Sequence, residues 1–148
     1  MTQIGFYHLT RSTLTQALPA LLGRTLAAGE RACVVCPDAV LLRALDIALW
    51  ECRDPDWLPH GTPADGDADL QPIWLASDDA APNGAKFLFL VDGARSARLA
   101  AFARGFDLFD GNDPHAVEAA RDRWRAGKAE GHELTYWQQG NQGWQRRQ

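Results

Sequence analysis

The chain has 148 residues, 46% of them hydrophobic and 23% charged, which predicts one domain over residues 1–148 with a real core and excludes a disordered chain. Nineteen acidic residues against fifteen Lys and Arg give a net charge of −4, the wrong sign for a general duplex-DNA binder, which is basic over the whole domain. The opening MTQIGFYHLT lacks a signal peptide's basic and apolar regions, no stretch reaches the roughly 18 apolar residues of a membrane span, and three cysteines make no disulfide scaffold, so the expectation is a soluble cytoplasmic protein without a membrane contact.

In chain order, residues 4–9 (IGFYHL) read as a β-strand, short and aromatic. Leu14, Leu18, Leu21, Leu22 and Leu26 recur at helical spacing up to Gly29, with Pro19 implying a kink or a late start. Residues 32–36 (ACVVC) form an apolar strand of the kind buried on both faces. Asp38 caps a second helix whose apolar side is Leu41, Leu42, Leu45, Ile47, Ala48, Leu49 and Trp50. From Cys52 to Gln71 the pattern gives way to a loop rich in Pro, Gly and Asp, long enough to be functional or mobile. Strands follow at 73–76 and 86–92, a helix at 94–104, a last central strand at 106–109, and a helix from Asp113-Pro114 to about Gly127. Residues 133–137 suit an edge strand, and 138–148 a frayed tail. Alternating strands and helices with buried strands predict a three-layer α/β domain with a mostly parallel sheet.

Such a sheet invites a nucleotide, but the turn after the first strand is LTRSTLTQ, without G-x-G-x-x-G, and no G-x-x-x-x-G-K-[ST] occurs elsewhere. Nor is there a G-x-S-x-G nucleophile elbow. Cys33-Val-Val-Cys36 has the spacing of a redox pair, yet it lies in a strand whose alternation sends the two side chains to opposite faces, which favours a core role over redox or zinc chemistry. Asp65, Asp67 and Asp69 imitate a calcium loop that then fails at Leu70 and Ala76. No histidine has a partnered nucleophile. No catalytic, cofactor or metal residue is expected.

Two surfaces remain. Trp50 ends the second helix and Trp57-Leu58-Pro59-His60 lies in the long loop. Trp57, flanked by Pro, is hard to bury and suits an interface anchor, while Trp50 fits either an anchor or the edge of the core. On the last helix Arg121, Arg125 and Lys128 form one stripe beside Trp124. That stripe suits either an acidic peptide ending in an apolar side chain and a carboxylate, or a solvated face paired with Glu118 and Asp122.

The segment Leu45-Asp46-Ile47-Ala48-Leu49-Trp50 followed by Trp57-Leu58-Pro59-His60-Gly61 resembles the chi subunit of bacterial DNA polymerase III holoenzyme, in which an LDxALW helix end leads to an aromatic-x-Pro-His turn. The Phe6-Tyr7 strand, the Gly-containing loop before Ile73-Trp74, and Arg121-Asp122-Arg123-Trp124-Arg125 extend the likeness over nearly the whole chain. The resemblance implies a Rossmann-like fold that binds no nucleotide. It implies a non-catalytic, cofactor-free clamp-loader accessory in DNA replication, bridging the psi subunit to the acidic C-terminal tail of single-stranded-DNA-binding protein, as a monomer or heterodimer. Carried over by residue, psi binding falls on Trp50, Trp57, Pro59 and His60, and tail binding on Arg121, Trp124, Arg125 and Lys128. Val117 stands where some members carry a further cation. An accessory helicase is another partner for the Trp50–His60 surface. Rival readings are a small nucleotide- or thiol-dependent enzyme on the same fold, and direct single-strand binding through Trp and Arg, which the net charge disfavours.

Overall fold

In the computed structural model, which describes residues 2–53, 57–141 and 143–148, the strands are β1 (Gln3–Leu9), β2 (Ala32–Val35), β3 (His60–Gly61), β4 (Ile73–Ala76), β5 (Phe87–Val91), β6 (Arg104–Asp110), β7 (Glu133–Gly140) and β8 (Gly143–Arg146). They form one sheet in the order β3-β4-β2-β5-β6-β1-β7-β8, parallel throughout except for the antiparallel β7–β8 pair. The helices are α1 (Leu14–Ala27), α2 (Ala39–Glu51) and α3 (Pro114–Ala129).

Strand alternation assigns the layers. Tyr7 and Leu9 of β1, Ala32 and Val34 of β2, Phe89 of β5, and Phe106 and Leu108 of β6 face α1 and α2, meeting Leu18, Leu21, Leu22, Leu45 and Leu49. On the other face, Ile4, Phe6 and Phe109 pack against Ala120 and Trp124 of α3. Cys33 and Cys36 fall in the cores on opposite sides of the sheet, as the alternation implied. Asp38 caps α2 through Val40 N–H, and Asp113 caps α3 through His115 N–H with Pro114 in the first turn. The late start allowed for α1 is not taken: the helix begins at Leu14 with Pro19 buried inside it.

The helix expected over 94–104 does not form; the segment holds only a 3-10 turn, Leu99–Ala101. Its backbone groups find other partners. The buried Thr2 hydroxyl donates to Leu99 O at 2.7 Å and to Phe102 O at 3.0 Å, and Ala103 N–H donates to Lys86 O. Phe102 and Ala94 still bury themselves over Leu88 and Leu90, so loop rather than helix covers that half of the face. The tail does not fray either. β7 runs on to Gly140 and turns into β8, which makes β8 rather than β7 the sheet's edge. Trp137 stacks on Tyr7 and Trp144 meets the same ring edge-on at 5.0 Å, so the tail is held by aromatic packing. At the opposite edge, the two-residue strand β3 lies within what read as unbroken loop. Residues 54–56 of that loop lie outside the described residues.

Buried beneath α3, Arg123 grips Asp107 of β6 with two parallel bonds of 2.6 and 3.0 Å. Both side chains are at least nine-tenths buried. Burial pushes the Asp107 carboxyl up from the usual carboxylate range, and the Arg123 hydrogen bond and charge pull against it.

Candidate functional site

Two surfaces carry the sequence-derived residues, one at the β3–β4 edge of the sheet and the other over β6, β1 and β7 on the opposite face. The first is built on α2. Burying Leu45 and Leu49 turns Val40, Ile47 and Trp50 outward, on the stripe i, i+7, i+10. Trp50 is 64% exposed and Trp57 is 74% exposed, which places both indoles on the surface. Along the loop Trp57 points out, Leu58 is buried in the α1–α2 core, Pro59 is half-buried and His60 is buried. His60 Nδ1 donates to the Leu58 carbonyl at 2.7 Å, and Nε2 meets the Asp46 carboxylate at 2.8 Å. Its ring lies against Trp50, with centroids 4.6 Å apart. His60, which the resemblance sets among the docking side chains, is buried here with its ring against Trp50. Asp46, its partner, stood in the quoted helix end without an assigned role.

The second surface lies between α3, β1, β6 and β7. There Phe6, Phe109, Val117, Ala120, Arg121, Trp124, Tyr136 and Gln148 line a cavity of about 320 Å³, at the lower end of the range for small binding pockets. Its aromatic wall is edge-packed: Trp124 meets Phe6 at 5.2 Å and Tyr136 at 6.1 Å. The Tyr136 hydroxyl hydrogen-bonds His8 Nδ1, and burial raises the phenol above its ordinary range while the Arg121 charge opposes this. Of the four residues assigned to the α3 stripe, Arg121 and Trp124 line the cavity. Arg125 and Lys128 do not; Lys128 Nζ sits 6.0 Å from the Trp124 ring, and Arg125 is exposed on the helix. The two arginines are also paired: Arg121 with Glu118 at 3.5 Å, Arg125 with Asp122 and, at 3.9 Å, with Glu118. Tyr136, Phe109 and Phe6 were missed because each reads from sequence as an ordinary strand aromatic. The alternation of β7 is the one available signal, and LTYWQQG leaves open which of Tyr136 and Trp137 faces α3.

A larger cavity of about 750 Å³ opens beyond the C-terminal ends of β1 and β6, between Leu9–Leu14 and Asp110–Asp113. In a parallel α/β sheet this is where nucleotides are held. Here the donors are already used. The backbone N–H groups of Thr10, Arg11 and Ser12 all donate to Gln139 Oε1 at 2.8–3.1 Å, Thr13 N–H to Gln16 Oε1, and His115 N–H to Asp113. Asp92, Asp110 and Asp113 line the same space beside Arg11 and Arg123, and Arg123 is already paired with Asp107. The cysteines fare no better as nucleophiles: burial pushes the Cys33 thiol up to about 12 and the Cys36 thiol up to about 11, so neither is a thiolate near neutrality. Among the described residues no three His, Cys, Asp or Glu side chains group as metal ligands, and no helix is long and apolar enough to cross a membrane.

Against known proteins, the family model described as DNA polymerase III chi subunit, HolC, matches residues 1–135. A probable DNA polymerase III subunit chi from Rickettsia prowazekii (strain Madrid E) is 22% identical over 99 residues, which is 67% of this chain and 60% of that protein. The chain thus spans under two-thirds of that relative's length. The family match takes in Trp50, Trp57, Arg121 and Trp124 and stops one residue short of Tyr136.

Proposed function

The chain belongs to the DNA polymerase III chi subunit family, an accessory and not a catalytic subunit, and from that premise we propose that it is a cytoplasmic adaptor. It holds the psi subunit of the clamp loader on the Trp50–Trp57 surface, and the acidic C-terminal tail of single-stranded-DNA-binding protein in the Trp124–Tyr136 cavity. The observation that carries this reading is the placement of the two surfaces. α2 packs at the β3–β4 edge on one face and α3 at the β6–β7 end on the other. Six strand steps separate β3 from β7, roughly 30 Å at the ordinary ~4.8 Å spacing. Two partners can therefore be held at once without touching.

Each surface suits its partner chemically. Exposed indoles beside Ile47 and Val40 offer a dry apolar contact for a lasting subunit interface. The cavity offers an aromatic box for one terminal apolar side chain, with Arg121 at its wall for a carboxylate and Arg125 nearby for the acidic residues before it.

Calorimetric titration of the chain with recombinant psi, and with an acidic tail peptide in the presence and absence of psi, tests the reading. The expected result is simultaneous binding of both, with peptide affinity falling as salt rises. Peptide affinity indifferent to salt, mutual exclusion of the two partners, or an oligonucleotide bound as tightly as the peptide would overturn it.

A further inference from the structure

The Trp50–Trp57 surface contains a device that its aromatic residues alone do not explain, and the inference from it rests on the docking role proposed above. Asp46 lies in α2; His60 opens β3, 14 residues on, within the long loop. The His60 side chain has no exposed surface, whereas that of Asp46 is 28% exposed. A fully buried imidazole is tolerated because both ring nitrogens are engaged, one by the Leu58 carbonyl and one by Asp46. The first bond holds the ring to its own backbone two residues back; the second ties it to the helix. The ring face then supports the Trp50 indole at 4.6 Å. Leu58, buried in the α1–α2 core, is the other fastening of this stretch.

We propose that Asp46 and His60 are positioning residues for the psi-type partner: their link fastens the loop to α2 and holds Trp50 and Trp57 as one preorganised surface. A loop that must be ordered at the moment of binding lowers affinity, and a loop already tied down does not. The same link joins the two halves of the sequence signature, the Asp of LDIALW to the His of WLPH. Their spacing is then set by the span from mid-helix to the sheet edge.

Coupling measurements separate this role from simple packing. Asp46→Ala and His60→Ala should each weaken binding of recombinant psi about tenfold, and the double variant no more than either alone. In a Trp57→Ala background Asp46→Ala should add little. Asp46→Asn, whose amide can still bond Nε2, should restore most of the affinity. Acidic-tail-peptide affinity and urea midpoint, read on every variant, verify the fold, and partly exposed Asp46 keeps the test open should His60→Ala not fold. Undiminished psi affinity in Asp46→Ala, additive losses, or no recovery in Asp46→Asn would overturn the link. If wild type does not bind psi at all, the docking reading fails and a partner-free measurement decides the inference: hydrogen exchange at residues 57–61 should accelerate in Asp46→Ala while α3 stays protected. Unchanged exchange there would overturn it.

Discussion

At the β3 edge two indoles stand more than 60% exposed, one of them packed on a buried His60 that is linked to the partly exposed Asp46, whereas at the β7 end the aromatics are sunk into cavity walls and the arginines at the rim are already paired. The first arrangement leaves large apolar area unsatisfied in water, so a partner that covers it gains much and leaves slowly. The second leaves little unsatisfied: on the proposed reading a tail peptide would have to displace Glu118 or Asp122 from their arginines, and would gain mainly the burial of one side chain. Strong apolar docking at the first surface and weak, salt-sensitive exchange at the second are what that reading expects of these two designs.

Removing the Arg123 side chain should have the largest effect, because it leaves Asp107 buried and unpaired. Arg123→Ala should cost about 3–5 kcal/mol of stability, read as a fall in urea midpoint. A shift within error would show that the ion pair does not hold α3 to the sheet. Next, Trp57→Ala should weaken psi by roughly thirtyfold, about 2 kcal/mol, while thermal stability and tail-peptide affinity hold. Unchanged psi affinity together with a large loss of thermal stability would instead make Trp57 a core residue. At the other end, Tyr136→Ala opens the cavity wall and should cost about tenfold in peptide affinity, near 1.4 kcal/mol, with psi binding unaltered. Smaller still is the rim charge. Arg125→Ala should lower peptide affinity by only a few-fold, as exposed pairs contribute about 0.2–1 kcal/mol, and Arg125→Glu should lower it further. Equal affinities for all three at low salt would remove the ionic half of the comparison.

The smallest expected effect on binding is none: Cys33→Ala/Cys36→Ala should bind both partners as wild type does. Its stability should nonetheless respond differently to alkali. Because burial raises both thiols in the folded state, their contribution is fully present below the ordinary thiol range near 9 and is lost as pH rises from there towards about 11 and 12. Urea midpoints from pH 8 upward should therefore fall more steeply in wild type than in the double variant.

Much of the fold was legible because its signals are local and repeated. ACVVC and KFLFLVD are too apolar for anything but buried strands, and Asp38 and Asp113-Pro114 carry their caps in the sequence. The segment 94–104 misled for the opposite reason. Its alanines suit a helix, but two of its carbonyls are claimed by Thr2, nearly a hundred residues away, and no local pattern records that. The tail misled similarly: Trp144 among Gln and Arg looks like frayed chain until Tyr7 is set beside it.

The candidate surfaces divide along the same line. The amino-acid sequence by itself determined the α/β class, the family signature in LDIALW and WLPH, and the cationic stripe with its tryptophan, since each is written in residues close together along the chain. Only the tertiary structure decided that His60 is buried under Trp50 while Trp57 is exposed, that Tyr136 rather than Arg125 walls the cavity, and that Gln139 fills the turn where a phosphate would sit. Those outcomes depend on which strand lies beside which and on which face each side chain takes. Strand order and packing, which bring residues 10 and 139 together, are properties of the whole sheet and of no single segment.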